Sequence, residues 1–269
     1  VAPIYPSSMP WNPDTYHQFR EARTAPVRDL TALLDDTYHT IIDLGCGTGD
    51  HTEALAERYA EATVLGIDTS AEMLAHARKR ARDNLTFRQQ NILDAAGSFD
   101  LVFANASLQW LPHHPRLIPW VWSLVRPGGR LAVQVPSNFD HPSHAHLAAT
   151  AAQPRFSEAL GGWARDGTAP AGRQAPVLPV VAYAELLYRL GGEDITAFDK
   201  IYPVVLPDAD GVLDWVSGTA LVPYLERLPE DLRDDFREAY RERLWSEWPQ
   251  GPVFYAFKRT LFSAAKPTA

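Results

Sequence analysis

The chain has 269 residues, 46% of them hydrophobic and 22% charged, with a single cysteine and a formal net charge of −8. That length can bury a full core, while the negative balance argues against a broad phosphate-binding surface and so against a nucleic-acid partner. One cysteine cannot build an internal disulfide framework and suits the cytoplasm, and no apolar run reaches the length of a membrane span.

The opening VAPIYPSSM lacks the basic stretch and continuous apolar core of a secretory signal, so residues 1–9 are expected to be an unstructured lead-in or a cloning remnant ahead of one domain over 10–269. Tyr16, Phe19, Val27, Leu30, Leu33 and Leu34 give an N-terminal helical region an apolar face. Strands and helices then alternate. Thr40 to Leu44 reads as a strand, Thr52 to Tyr59 as a helix, and Thr63 to Ile67 as a strand closed by Asp68. Ser70 caps a helix predicted to run through Arg82, with Glu72 in its first turn and a basic cluster in its last. Leu85 to Gln89 and Phe99 to Ala104 are strands, Pro115 to Val125 a helix, and Pro127-Gly128-Gly129 a turn into the strand Arg130 to Val135. This alternation predicts an α/β fold, a parallel sheet with helices on both faces.

After Pro136 the rhythm breaks. Pro142 to Leu160 has helical periodicity, Gly161 to Pro179 reads as a loop, and Val180 to Leu190 as a helix. A strand near Ile195 to Leu206, helices near Gly211 to Gly218 and Glu230 to Trp245, and a last strand from Val253 to Ala264 complete the chain. The two non-alternating stretches, about 137–179 and 207–250, are where a cap over the sheet's ligand crevice is expected.

Chemistry concentrates at the turn after the first strand, DLGCGTGD. Gly45, Gly47 and Gly49 bring backbone close to a ligand, and the following helix presents free N–H groups. A dinucleotide site would place a third glycine where Asp50 stands, and Asp43 adds a second carboxylate. Two acids repel a pyrophosphate and suit a ligand bearing an ammonium and a sulfonium, as S-adenosylmethionine does. Asp68 is placed for ribose hydroxyls, Asn91 and Ile92 for the adenine, and Asn105 ends the fourth strand at the same crevice.

DLGCGTG with GIDTSAEML and FDLVFANASLQWL resembles a class I S-adenosylmethionine-dependent methyltransferase. WNPDTYHQF with Arg23, NASLQWLPHH, LAVQVPSNFDHPSH, DWVSGTALVPYLERL and FKRTLFSAA are similar, nearly end to end, to the bacterial trans-aconitate methyltransferase family. The resemblance implies a Rossmann-like seven-stranded, mostly parallel sheet and an N-terminal segment folding over the cofactor. It implies methyl transfer to a small, anionic carboxylic acid, leaving S-adenosylhomocysteine. The same motifs add Trp11, Tyr16, Arg23, Thr69, Met73, Ala106 and Gln109 to the candidate cofactor set.

A carboxylate acceptor is already ionised at neutral pH, so positioning groups rather than a catalytic triad are expected. Tyr16, Arg23, Trp110 and His144 are the positioning candidates, with Trp11, Tyr16 and Phe19 as a lid over the sulfonium by cation–π attraction. Arg23, His113, His114, His144, Lys258 and Arg259 are the candidate cations for the acceptor. His141, His144 and His146 lack the accompanying ligands of a metal site, and Cys46 lacks a histidine partner for nucleophilic work. Two positions depart from the family pattern: Ala25 replaces the second arginine of Arg-x-Arg-Pro, and Val204 replaces a histidine. A charged hydrogen bond in a binding site is worth about 1.5–3 kcal/mol, so these two replacements predict an altered acceptor half beside an intact cofactor half.

Overall fold

A computed structural model describes residues 20–163 and 177–268, of which the side chains are described from residue 24 onward. Seven strands form one sheet in the order β3-β2-β1-β4-β5-β7-β6. They are β1 (Thr40–Leu44), β2 (Thr63–Asp68), β3 (Leu85–Gln89), β4 (Phe99–Asn105), β5 (Val125–Pro136), β6 (Glu193–Leu206) and β7 (Val253–Ala265). β1 to β5 pair in parallel, and β7 enters antiparallel between β5 and β6.

Side-chain alternation assigns the two faces. Ile41, Leu101, Phe103, Ala132 and Leu261 pack with Val27 and Leu30 of α1 (Arg20–Thr31) and Leu55 of α2 (Asp50–Arg58). Their strand neighbours Ile42, Val102, Ala104, Leu131, Val133 and Phe262 turn the other way. There they meet Leu117 and Val121 of α4 (His114–Ser123) and Tyr183 and Leu187 of α7 (Val180–Arg189). Both faces are thus covered, as a parallel sheet requires.

A third core lies beyond the sheet proper. The chain forms α5 (Pro142–Ala151), α6 (Pro154–Ala159), α8 (Ala209–Ser217), α9 (Val222–Arg227) and α10 (Glu230–Glu247). Their apolar faces close around Tyr202, Val204, Leu206, Val253, Tyr255 and Phe257, the ends of β6 and β7 that outrun the other strands.

Three local expectations are corrected. α3 (Ala71–Ala77), capped by the Ser70 hydroxyl on the Met73 N–H, stops short of Arg82 and tightens into a 3₁₀ turn over Arg78–Arg80. Arg80 is drawn across to α2, where it pairs with Asp50 and Glu53 and donates to the Thr48 carbonyl, so the basic cluster serves a tertiary contact as well as the helix end. Pro127-Gly128-Gly129 lies inside β5 as a bulge, with two residues advanced on β4 (Phe99 to Leu101) against five on β5 (Val125 to Arg130). The helical stretch after Pro142 breaks at Ala152-Gln153, ahead of Pro154, and the short α9 carries no expectation at all.

Candidate active site

The carboxyl ends of β1, β2, β3 and β4 enclose a cleft of about 360 Å³ of free space, its solvent mouth included. Its floor is the glycine turn. The Gly45 and Cys46 N–H groups donate to the Ile67 carbonyl at 2.8 and 2.9 Å, and the Gly47 N–H donates to Asp68 Oδ2 at 2.9 Å. Gly45 has φ +81°, and a Cβ there would stand 2.4 Å from Ser107 Cβ. Side-chain packing from β4's end therefore demands glycine at 45. Gly47 also has positive φ, yet nothing lies within 4 Å of where its Cβ would be. There the backbone conformation, and not a neighbouring side chain, favours glycine.

Two carboxylates lie at this turn. Asp43 is buried, and its Oδ2 accepts the Thr52 hydroxyl proton at 2.6 Å. Burial pushes its pKa up to about 7, the Thr52 hydrogen bond opposes this, and the charge of Asp68 adds to the rise. Asp68 lines the cleft itself. Burial raises its pKa too, against the Ser70 and Gly47 amides that its two oxygens accept. A carboxylate with one amide on each oxygen keeps lone pairs for further donors. Burial, then the charges of Asp43 and Asp68, push the Cys46 thiol far up, which removes the thiolate a nucleophile needs. Asp50 plays a different part from the one expected: paired with Arg80 and bonded to the Thr48 hydroxyl, it does not line the cleft.

Thr69, Asn91 and Ile92 form one wall, and Ser107, Trp110 and Leu111 the other. The Asn91 side-chain oxygen Oδ1 accepts the Leu93 N–H at 2.9 Å and so caps the following 3₁₀ turn, which leaves the side-chain amide hydrogens for other acceptors. Ala106, with φ +52°, turns the chain off β4, and its N–H is held by the Gln134 carbonyl at 2.9 Å. That turn sends Ser107 beneath Gly45, where its hydroxyl donates to the Leu44 carbonyl at 2.5 Å. Asn105, Ala106, Gln109 and Met73 support the walls without lining the cleft; Met73 is half-buried on α3. Gln109 donates to the Ala106 carbonyl at 2.6 Å. With the Gln134 amide oriented by its neighbours, its nitrogen donates to Asn105 Oδ1 at 2.7 Å and its oxygen accepts from Arg259 at 3.1 Å.

Trp11, Tyr16 and Phe19, and the side chain of Arg23, lie outside the described residues. The other candidate cations disperse. His114 is buried between the Tyr183 hydroxyl at 2.5 Å and the Leu108 carbonyl at 3.0 Å, and burial lowers its pKa, so it is a neutral structural bridge. His113 is exposed, and Lys258 is tied to Asp140 at 3.1 Å. His144 is buried against the Ser143 hydroxyl, and its ring meets Phe139 edge-on. The three neighbouring histidines diverge: His141 packs on Tyr255 and Trp248, and His146 pairs with Glu247. Among the described residues no cluster of metal-ligating side chains forms.

Ser107, Leu111 and Gln134 escape the sequence reading. The signal for Gln134 is present in LAVQVP, where a lone amide sits inside an apolar strand and must find partners. Ser107 has no such signal, because its role depends on a close approach to Gly45.

The donor set tests the implied cofactor. Asp68 and Thr69 line the cleft, and the Thr69 hydroxyl oxygen, like the Gln109 side-chain oxygen behind the wall, is buried with no hydrogen-bond partner among the described residues. The Asp68 carboxylate and the Thr69 hydroxyl in the cleft, with the Asp43 carboxylate at the start of the glycine turn, fit ribose hydroxyls and an ammonium group and oppose a diphosphate. Sheet order and cleft together define a class I S-adenosylmethionine-dependent methyltransferase. Known proteins agree with this. A methyltransferase-domain family model matches residues 35–167. Trans-aconitate 2-methyltransferase of Deinococcus radiodurans is 54% identical over 96% of this chain and 99% of its own length. The protein of the same name from Variovorax paradoxus is 35% identical over 96% and 99%. Geranyl diphosphate C-methyltransferase of Streptomyces coelicolor A3(2) shares the fold at 17% identity, with a TM-score of 0.54 over 97% of this chain and 86% of that one. The chain belongs to the trans-aconitate 2-methyltransferase family. It is an enzyme that transfers a one-carbon group from S-adenosylmethionine to a small molecule, and none of its described helices is long and apolar enough to cross a membrane.

Proposed function

We propose that the acceptor is a small polycarboxylic acid of the trans-aconitate kind, methylated on a carboxylate oxygen. The observation that carries this is the full-length match to the Deinococcus radiodurans enzyme, which takes in the cap stretches 137–179 and 207–250 as well as the cofactor half. We assign Asp68 to the ribose hydroxyls, Asn91 and Ile92 to the adenine, and Asp43 with the glycine turn to the ammonium end of the cofactor. The cofactor supplies an electrophilic methyl on a cationic sulfur.

A new carboxylate O–CH₃ bond forms as the S–CH₃ bond breaks. The carboxylate and the sulfonium both become neutral, and no proton moves. The side chains therefore need only aim the acceptor and exclude water, which is the task assigned to Trp110, Leu111 and the cap. Burying two opposite charges that cancel in the transition state favours a dry site.

A second reading, a neutral acceptor oxygen, nitrogen or carbon, is favoured by Ala25 and Val204, which pack into the apolar cap core where the family carries cations. Incubation with methyl-labelled cofactor and trans-aconitate separates the two. The expected product is an alkali-labile monomethyl ester seen by mass spectrometry. No ester from any small acid, with label passing to a phenol or amine, would overturn the carboxylate assignment.

A further inference from the structure

Ala25 and Val204 lie far apart in sequence, yet Val204 belongs to the cap core that includes Tyr202 and Phe257, and Ala25 packs against it. The structure places a guanidinium against this same wall, on β7. Arg259 stands over the Phe257 ring, 4.0 Å from its centroid, and Phe257 meets Trp215 of α8 edge-on at 4.9 Å. With the Gln134 amide turned as its neighbours require, Arg259 donates to the Gln134 amide oxygen at 3.1 Å and the Gln134 nitrogen donates to Asn105 at 2.7 Å.

Register explains why these three meet. Asn105 pairs with Gln134, Gln134 with Leu261, and Arg259 with Pro136, two residues farther toward the strand end. All three side chains therefore share one face at the carboxyl edge of the sheet. Asn105 is also the residue from which the chain turns to bring Ser107 and Trp110 to the cleft. Arg259 is half-exposed, and its charge reaches the hydroxyls of Tyr202 and Tyr255 in the cap wall. A planar fork of donors thus stands beside Phe257 and Gln134 at the carboxyl edge of the sheet.

Resting on the carboxylic-acid assignment above, we propose that Arg259 receives a non-reacting carboxylate of the acceptor, with Gln134 as the positioning residue that sets its guanidinium relative to Asn105. The reacting carboxylate is a poor candidate for this contact. It gives up its negative charge on the way to the ester, so an arginine bound to it would stabilise the ground state more than the transition state. A spectator carboxylate keeps its charge throughout, and a bidentate contact there orients the acid without slowing it. Arg259 would then supply the charge that is missing at Ala25 and Val204.

Arg259→Met, Arg259→Lys and Gln134→Leu are compared with wild type on trans-aconitate and on dicarboxylates that each lack one of its carboxyl groups. Melting temperature and S-adenosylhomocysteine affinity are followed in parallel. R259M should raise the KM for trans-aconitate by about 10- to 100-fold with kcat within about 3-fold, the effect of removing one charged hydrogen-bond donor from the acceptor site. The dicarboxylate that lacks the held carboxyl should have a high KM in wild type and suffer almost no further rise in R259M. R259K should recover part of the KM, and Q134L should raise KM by less than R259M. An unchanged KM in R259M, or an equal penalty on every acid, overturns the assignment. Should R259M fail to fold, R259K is judged by the same comparison among acids. A wild type that neither binds nor methylates any of the acids overturns the carboxylate reading as well, whereas normal wild-type turnover with an indifferent R259M overturns this one alone.

Discussion

Asp43 shows how much a single residue's surroundings decide. Its place before the glycine turn is legible in DLGCGTG, but its burial is not, because that burial comes from Thr52 on α2 and the turn folded over it. Unfolded, its carboxyl titrates near 3.8; folded, near 7. Between these values the folded chain holds a proton that the unfolded chain has released. Stability therefore falls as pH rises through that window, and the full cost, on the order of a few kcal/mol, is present above it. Asp43→Asn carries no charge and still accepts from Thr52. Urea unfolding at pH 5 and pH 8 should show the wild type losing stability across the interval and D43N losing much less, with D43N the more stable at pH 8 by about 1–3 kcal/mol. S-adenosylhomocysteine should bind D43N more weakly at pH 8, since the ionised acid that attracts its ammonium is gone. An identical pH slope in the variant would show that some other group carries the dependence.

Among elements, the strands of the cofactor half are the most legible. β1, β2 and β4 are mostly apolar runs ended by a polar or glycine residue, and β3, though half polar, agrees with expectation at both ends. Helix ends fared worse where a side chain had a distant use, as Arg80 does. The cap helices announce themselves by period but not by partner, since their shared core forms only when β6 and β7 overrun the sheet. α9, six residues with a proline in its first turn, is too short for periodicity to register. The centre of this core is Phe236 on α10, fully buried, stacked on Tyr224 at 5.7 Å and edge-on to Phe156 at 5.0 Å. Phe236→Ala should cost about 3–5 kcal/mol. Amide hydrogen exchange should speed up in α9 and α10 before the sheet is affected. The acceptor KM should rise while S-adenosylhomocysteine affinity stays near wild type, because Phe236 belongs to a core separate from those of the sheet's two faces. Equal loosening of β1 and β4 would show that cap and sheet melt as one.

On the scale of the whole molecule, the antiparallel β7 joins the early and late parts of the chain. Arg130 on β5, its side chain largely buried, donates to Asp35 at 2.8 Å, to Asp194 at 2.6 Å and to Ser263 at 3.1 Å. It thereby ties the segment after α1 to β6 and β7. Arg130→Met keeps most of the packed stem and removes every one of these bonds. Because both aspartates are half or more exposed, the destabilisation should be about 1–3 kcal/mol in urea unfolding rather than collapse. A variant as stable as wild type would make Arg130 a bystander. By itself the sequence determined what short windows can encode: the alternation of strand and helix, the glycine turn, the acid closing β2 and the caps. Those features follow from backbone sterics and the local spacing of apolar side chains, which act within a few residues. Only the tertiary structure decided which polar groups are buried and with whom: Ser107 under Gly45, Gln134 between Asn105 and Arg259, Ala25 and Val204 in one apolar core. Such contacts join residues distant along the chain, and they exist only once the packing of whole elements has fixed strand register and helix position.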